Sequence, residues 1–344
     1  MSRFAALALA AFVVAVPAGG ASGPVTRIKN TNGWIESLAM DGPRVAYAVQ
    51  GRSACTKLFV WNVQTQGAAL VSGNGTCAAD STSTGGGVTE IAVAGLRVAW
   101  VVNEGGNTES DDDLYTATLP NARETRIASA LRTGDVDGVL AGEWIHGLVG
   151  GGDRIAVNRW TTDDRGEITK GSLQRVGGVL TTIAAGTTTL HARSLDVRRV
   201  AVLRSDGQVA LYDTDTGKVL LTVEPSSARE AALRRDSIVV LTRTKTIEIF
   251  NSKTGVAVKT WPVAAGAAQL DVHSGIVAYA VGRRVHVLRL ADGKDAVLAT
   301  APRAIADLEI EAPGIVYAYN TVKGIKDVGN LAFVPLSKAT SLLG

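Results

Sequence analysis

The chain has 344 residues, 35 of them Lys or Arg and 32 Asp or Glu, for a net charge of +3. That balance argues against the basic stripe or patch on which nucleic-acid binding depends, and one ordinary core does not stretch over so long a chain. Gly is abundant at 38 residues, Val, Thr, Ala and Ile fill the apolar runs, and no long 3.6-residue period follows the N-terminal stretch. The composition points to many small β cores built side by side.

Met1-Ser2-Arg3 leads into an apolar run from Phe4 to Val16, with small residues after it at Ala18, Gly19, Gly20 and Ala21. A positive start, a short apolar stretch and small residues are the parts of a secretory signal peptide. The run falls short of the roughly 20 residues that span a bilayer. We read residues 1–21 as a signal peptide cleaved after Ala18 or Ala21, an uncleaved anchor being the alternative. The mature protein is then expected to be secreted, or periplasmic or in the cell envelope, by bacterial-type export, with no transmembrane segment.

From there one phrase recurs, a basic, small or polar residue followed by a β-branched run. It reads Arg44-Val45-Ala46-Tyr47, Arg97-Val98-Ala99-Trp100, Arg154-Ile155-Ala156-Val157 and Arg199-Val200-Ala201-Val202, then Ser237-Ile238-Val239-Val240, Gly275-Ile276-Val277-Ala278 and Gly314-Ile315-Val316-Tyr317. The anchors at 45, 98, 155, 200, 238, 276 and 315 stand 53, 57, 45, 38, 38 and 39 residues apart. An alternating segment and a turn precede each phrase, and two further alternating strands follow it, separated by turns such as Thr216-Gly217 and Thr254-Gly255. A period near 40 with four strands is the sequence signature of a propeller blade. The expected fold is all-β: a single seven-bladed β-propeller over 24–344, its four-stranded antiparallel blades at about 34–72, 87–129, 142–186, 187–225, 226–263, 264–301 and 302–344. A many-stranded sandwich is the alternative, and it leaves the sevenfold phrase unexplained. The strands of a blade are lettered a to d, inner to outer. Pro24–Ile28 is the expected strand closing the last blade, with Ala339–Leu343 as the competing candidate.

The segment from Gln208 to Lys218, Gln-Val-Ala-Leu-Tyr-Asp-Thr-Asp-Thr-Gly-Lys, resembles the repeats of WD-type and quinoprotein-like propellers. Asp113 to Leu119 resembles the repeat of TolB-like propellers. The Trp-Asp and Gly-His signatures of true WD repeats are missing, and Trp61-Asn62 is the nearest approach. The resemblance implies the fold and carries no cofactor residue over.

In such a meander, b–c turns and d–a connections share one face. Cys55 and Cys77 fall in a b–c turn and a d–a connection of blade one, and export makes a disulfide between them the expectation. On the same face the b–c segments of blades four to six are short, whereas Asn320–Asn330, Gln50–Lys57, Asn103–Asp113 and Thr161–Lys170 are long, as are the d–a connections Ser72–Gly87 and Ala130–Gly142. Long loops in compact folds need a reason, so the expected ligand face lies over blades seven, one, two and three. Candidate contacts there are Trp144, Trp160, Asp163 and Asp164. Glu109, Asp111, Asp112 and Asp113 form an acidic run able to hold a Ca²⁺ ion, although a solvated acidic turn is the plainer reading. Glu167 adds to the acids of blade three.

No catalytic residue and no cofactor emerge. The four histidines, His146, His191, His273 and His286, lack metal spacing, and no G-x-S-x-G elbow occurs. The expected function is an exported, monomeric, non-enzymatic propeller that binds a protein, peptide or glycan. The alternative is an exported lyase, hydrolase or quinoprotein-like enzyme with its site in the central channel, which inward-pointing charges on the a strands would favour. A purely structural envelope protein is the third reading.

Overall fold

The computed structural model describes residues 27–50, 56–72, 85–134, 138–186, 190–324 and 326–344. The expected signal peptide and both cysteines lie outside them. Strand β1 spans Arg27–Asn30. The next four, β2 Trp34–Asp41, β3 Arg44–Gln50, β4 Thr56–Asn62 and β5 Ala68–Ser72, form one sheet. Eight more make a continuous sheet: β6 Gly85–Ala94, β7 Arg97–Gly105, β8 Glu109–Thr118, β9 Thr125–Thr133, β10 Ala141–Gly151, β11 Arg154–Thr162, β12 Ile168–Val176 and β13 Leu180–Gly186. Four-stranded sheets follow from β14 Leu190–Asp196, β15 Arg199–Arg204, β16 Val209–Asp213 and β17 Val219–Val223, and from β18 Ala228–Arg234, β19 Ser237–Thr242, β20 Thr246–Asn251 and β21 Ala257–Pro262. Another comprises β22 Ala267–His273, β23 Ile276–Val281, β24 Arg284–Arg289 and β25 Asp295–Thr300. The last joins β26 Ile305–Glu311, β27 Gly314–Lys323 and β28 Lys326–Pro335 to β1, and helix α1, Leu336–Leu343, ends the chain.

The sheets are the blades of a β-propeller. Five stand as separate four-stranded blades, two fewer than the repeat phrase predicts, because β6–β13 are continuous. Within that sheet β9 and β10 are joined by only two residue pairs, Thr133 with Ala141 and Arg132 with Gly142. The N-terminal strand closes the ring: Arg27 to Asn30 pair antiparallel with Phe333 to Asn330 of β28. Ala339–Leu343, the competing candidate, is helical instead, with Ala339 and Leu343 packed into the core beside β25 and β27.

The recurring phrase builds the b strands, and its alternation explains the cores. Val45 and Tyr47 face back toward Val316 and Ala318, whereas Ala46 and Ala48 face forward toward Val98 and Trp100. Apolar clusters of the same kind join β7 to β11, β11 to β15, β15 to β19, β19 to β23 and β23 to β27. In five of the units a branched residue at the anchor fills the space that the Ala of the preceding b strand leaves open, which is how flat sheets reach interior packing density. Blade six corrects the expected register. His273 pairs with Ile276, so Val277, packed with Val239 and Leu241, is the true anchor. A one-residue slip exchanges the two faces of a strand.

The long b–c segments are also corrected. In blades two, three and seven they are not open loops, because the strands continue up them; of Gln50–Lys57, residues 51–55 lie outside the described residues. β7 and β8 pair as far as Gly105 with Ser110, and β27 and β28 as far as Lys323 with Lys326, where Gly324 turns at φ +63°. Thr, Val and alternating polar side chains suit a two-sided, solvated ladder.

Every innermost strand carries a register shift near its start, at Ile35/Leu38, Val88/Glu90, His146/Val149, Ala192/Ser194, Ala228/Glu230, Ala268/Asp271 and Ile305/Asp307. A bulge frees backbone groups from the ladder, and the preceding inner strand supplies acceptors nearby. Leu38 N–H donates to Asp307 (2.9 Å), Gly147 and Leu148 to Glu90 (3.0 and 2.6 Å), Leu233 to Ser194 (3.0 Å), Leu270 to Glu230 (2.8 Å) and Ile310 to Asp271 (2.9 Å). These bonds fasten neighbour to neighbour around the channel. Among the described residues no helix is long and apolar enough to cross a membrane.

Candidate functional site

The inner strands enclose a cavity of about 110 Å³ lined from β2, β6, β10, β14, β18, β22 and β26. Beside the a–b turns, Arg234 of β18 reaches past β22 to Glu311 of β26 in a bidentate pair (2.7 and 3.0 Å), and His273 Nδ1 stands 3.3 Å from the same carboxylate. Burial pushes the Glu311 pKa up, but His273 and Arg234 outweigh it and hold it below its ordinary value. Further in, Asp271 and Glu309 hydrogen-bond through their carboxyls. Burial, then the neighbouring Asp271 charge, raises Glu309 well above the usual range, so the pair holds a proton. Burial likewise lifts Asp307 to about 6 despite the N–H bonds from Leu38 and Leu308.

At the other end of the inner strands, where b–c hairpins and d–a connections meet, aromatic groups gather. His146 Nδ1 lies 2.5 Å from Glu90 Oε1, and its ring meets the Trp160 indole edge-on at 4.9 Å. His191 meets the same indole at 4.7 Å and stands 6.4 Å from His146, centroid to centroid. Trp160 is fixed by donation from Nε1 to Leu190 O (3.2 Å). The bond to Glu90 raises the His146 pKa against the opposing effect of burial. Burial, then Arg193 and His146, push His191 down to about 4, so it is neutral near pH 7. The His146 side chain is 45% exposed, so the cluster is open to a ligand. Two imidazoles and an indole form a shelf suited to planar amide or aromatic groups.

The sequence candidates divide around this shelf. Trp160 belongs to it. Trp144, its cross-strand partner, is occupied instead: the Arg132 guanidinium stacks 3.8 Å over its ring and its Nε1 donates to Thr162 Oγ1 (3.1 Å). Asp163 closes its own turn, accepting from Arg165 and Glu167 N–H (3.0 and 2.9 Å), while Asp164 and Glu167 are exposed at the hairpin tip. Glu109, Asp111, Asp112 and Asp113 occupy strand β8, not a turn, so alternate carboxyls point to opposite faces. Asp112 is buried against Arg132 and the Ile145 N–H, and Asp113 takes bonds from Tyr115, Arg126 and Ser129. Among the described residues no three His, Cys, Asp or Glu side chains are grouped to hold a metal ion.

Sequence reasoning treated the histidines as scattered. Yet His146 and His191 each stand nine residues before an anchor, Ile155 and Val200, in consecutive units. Aligning the repeats on their anchors brings them side by side.

No protein-family model matches the chain, and no curated protein matches it in sequence. Solved structures do. A chain of the mitotic checkpoint complex crystal structure superposes with a TM-score of 0.55 at 13% identity, covering 97% of this chain and 98% of that one. The WD40 β-propeller domain of Doa1 superposes with a TM-score of 0.57 at 12% identity, covering 93% and 98%. At that identity the likeness is one of fold: from end to end of its described residues, the chain is a β-propeller similar to WD40 domains.

Proposed function

We propose that this chain is an exported, seven-bladed, monomeric binding protein that holds a protein or peptide on the face of its b–c hairpins and d–a connections, over blades seven, one, two and three. The blade number takes β6–β9 and β10–β13 as two blades joined through the two pairs at β9 and β10, in keeping with the recurring inner-strand bulge and the clusters between successive b strands. The observation that carries the binding reading is the asymmetry of the hairpins. β7–β8 and β27–β28 rise as paired ledges, whereas Gly282-Arg283 suffices between β23 and β24. Paired strands present side chains at little entropic cost on binding. The shelf of His146, Trp160 and His191 opens on the same face. The protein assemblies in which similar folds are found lend the partner class further support.

Three substitutions test it. Glu109, Asp111 and Asp164 are exposed, and changing all three to Arg leaves the fold and its melting temperature intact. Capture of the partner by crosslinking should fall at least about tenfold, as charge reversal across an interface costs more than 1.4 kcal/mol. Undiminished capture would contradict the placement. A channel enzyme is the second reading, favoured by the charged lining of Arg193, Arg234, Glu309 and Glu311. The Arg234–Glu311 pair accounts for two of those four groups as ring fastening, and the hydrogen bond of Glu309 to Asp271 occupies a third.

A further inference from the structure

The b–c turns of blades five to seven carry Arg243, Lys245, Arg283, Arg284, Lys323 and Lys326, all exposed. None of the six has an ion-pair partner among the described residues. The same segments hold one acid, the half-buried Asp327. Across the face, the hairpins of blades two and three carry Glu104, Glu109, Asp111, Asp163, Asp164 and Glu167. The hairpin face is therefore electrically split, basic on one arc and acidic on the other.

We propose that the basic arc over blades five to seven docks an acidic polypeptide segment of the partner. This rests on the reading of the chain as a protein-binding propeller and adds the chemistry of what is bound. Three guanidiniums offer paired donors that match carboxylates, and three ammoniums add point charge. The cations follow one another from blade to blade, which suits an extended chain. No aromatic side chain stands among these turns, so base stacking and membrane insertion lack their usual anchors. The acidic arc repels the same segment and fixes its direction across the face.

The test uses the full chain and a fluorescent peptide of mixed Glu and Asp, followed by anisotropy at rising salt. Binding at low salt that weakens as salt screens it is expected. Arg283→Glu with Arg284→Glu should weaken it at least about tenfold. Lys218→Glu, exposed in the c–d turn between β16 and β17 on the opposite face, should leave it unchanged. No peptide binding at low salt, or equal binding by the Arg283→Glu/Arg284→Glu protein, overturns the inference. So does salt-sensitive self-association abolished by that variant, which would make a second copy the occupant. If the peptide fails while partner capture through the hairpins persists, only this inference falls. If peptide binding persists and capture shows no dependence on the hairpins, it is the placement of the partner that falls.

Discussion

Arg132 and Asp112 meet behind the β8–β9 ladder with side chains 2% and 7% exposed. Besides the close Nη1–Oδ2 contact they share a 3.0 Å bond, and Ile145 N–H completes the carboxylate at 3.1 Å. Removing one partner of a buried pair strands the other. Arg132→Ala should therefore lower unfolding free energy by about 3–5 kcal/mol in denaturant titration, whereas replacing both members by apolar residues costs far less. Asp307 makes a pH prediction. Its pKa is raised in the folded state, so its stabilising share is complete below the unfolded value of 3.8 and is lost as pH climbs through about 6. The loss is up to about 3 kcal/mol. Asp307→Asn keeps an acceptor for Leu38 and should flatten the stability profile between those pH values. A variant profile that overlays the parent's would refute that account. The Arg132–Asp112 pair was not legible beforehand: an Asp in an acidic run reads as a solvated turn until strand alternation turns one carboxyl inward.

At the scale of elements, the repeat phrase carried most of the information, because a b strand buried on both faces must be apolar at every position. Trp100 of the b strand β7 is 0% exposed for that reason, and Trp61 of the c strand β4 is 1% exposed. The turn after each c strand was legible too. Asp213 accepts from Asp215 and Thr216 N–H, and Asn251 from Lys253 and Thr254, with Gly217 and Gly255 at φ +69° and +71°. A Cβ at Gly217 would stand 2.3 Å from Ile183 O. Gly217→Ala should then cost about 2 kcal/mol or more, read as a lowered melting temperature, since backbone and not a flexible side chain must yield. What stayed hidden were features that depend on pairing. The hairpins of blades two, three and seven look like loops because their outward residues are polar on both faces. In blade six, Gly275-Ile276 imitates the phrase of its neighbours one residue out of step.

For the whole molecule, closure and polarity are the consequences that matter. Deleting residues 1–30 removes β1 and exposes the edge of β28, an invitation to edge pairing. The truncated chain should melt lower and form soluble oligomers, seen by light scattering. Export predicts a mature N-terminus at Gly19 or Ser22, readable by mass spectrometry of the secreted or periplasmic protein. The central claim concerns which face binds. A photocrosslinking residue at Thr108, on the β7–β8 tip, or at Asp164 should capture the partner, and the same residue at Leu96, in an a–b turn on the opposite face, should not. Capture from Leu96 with none from Thr108 or Asp164 would contradict the account.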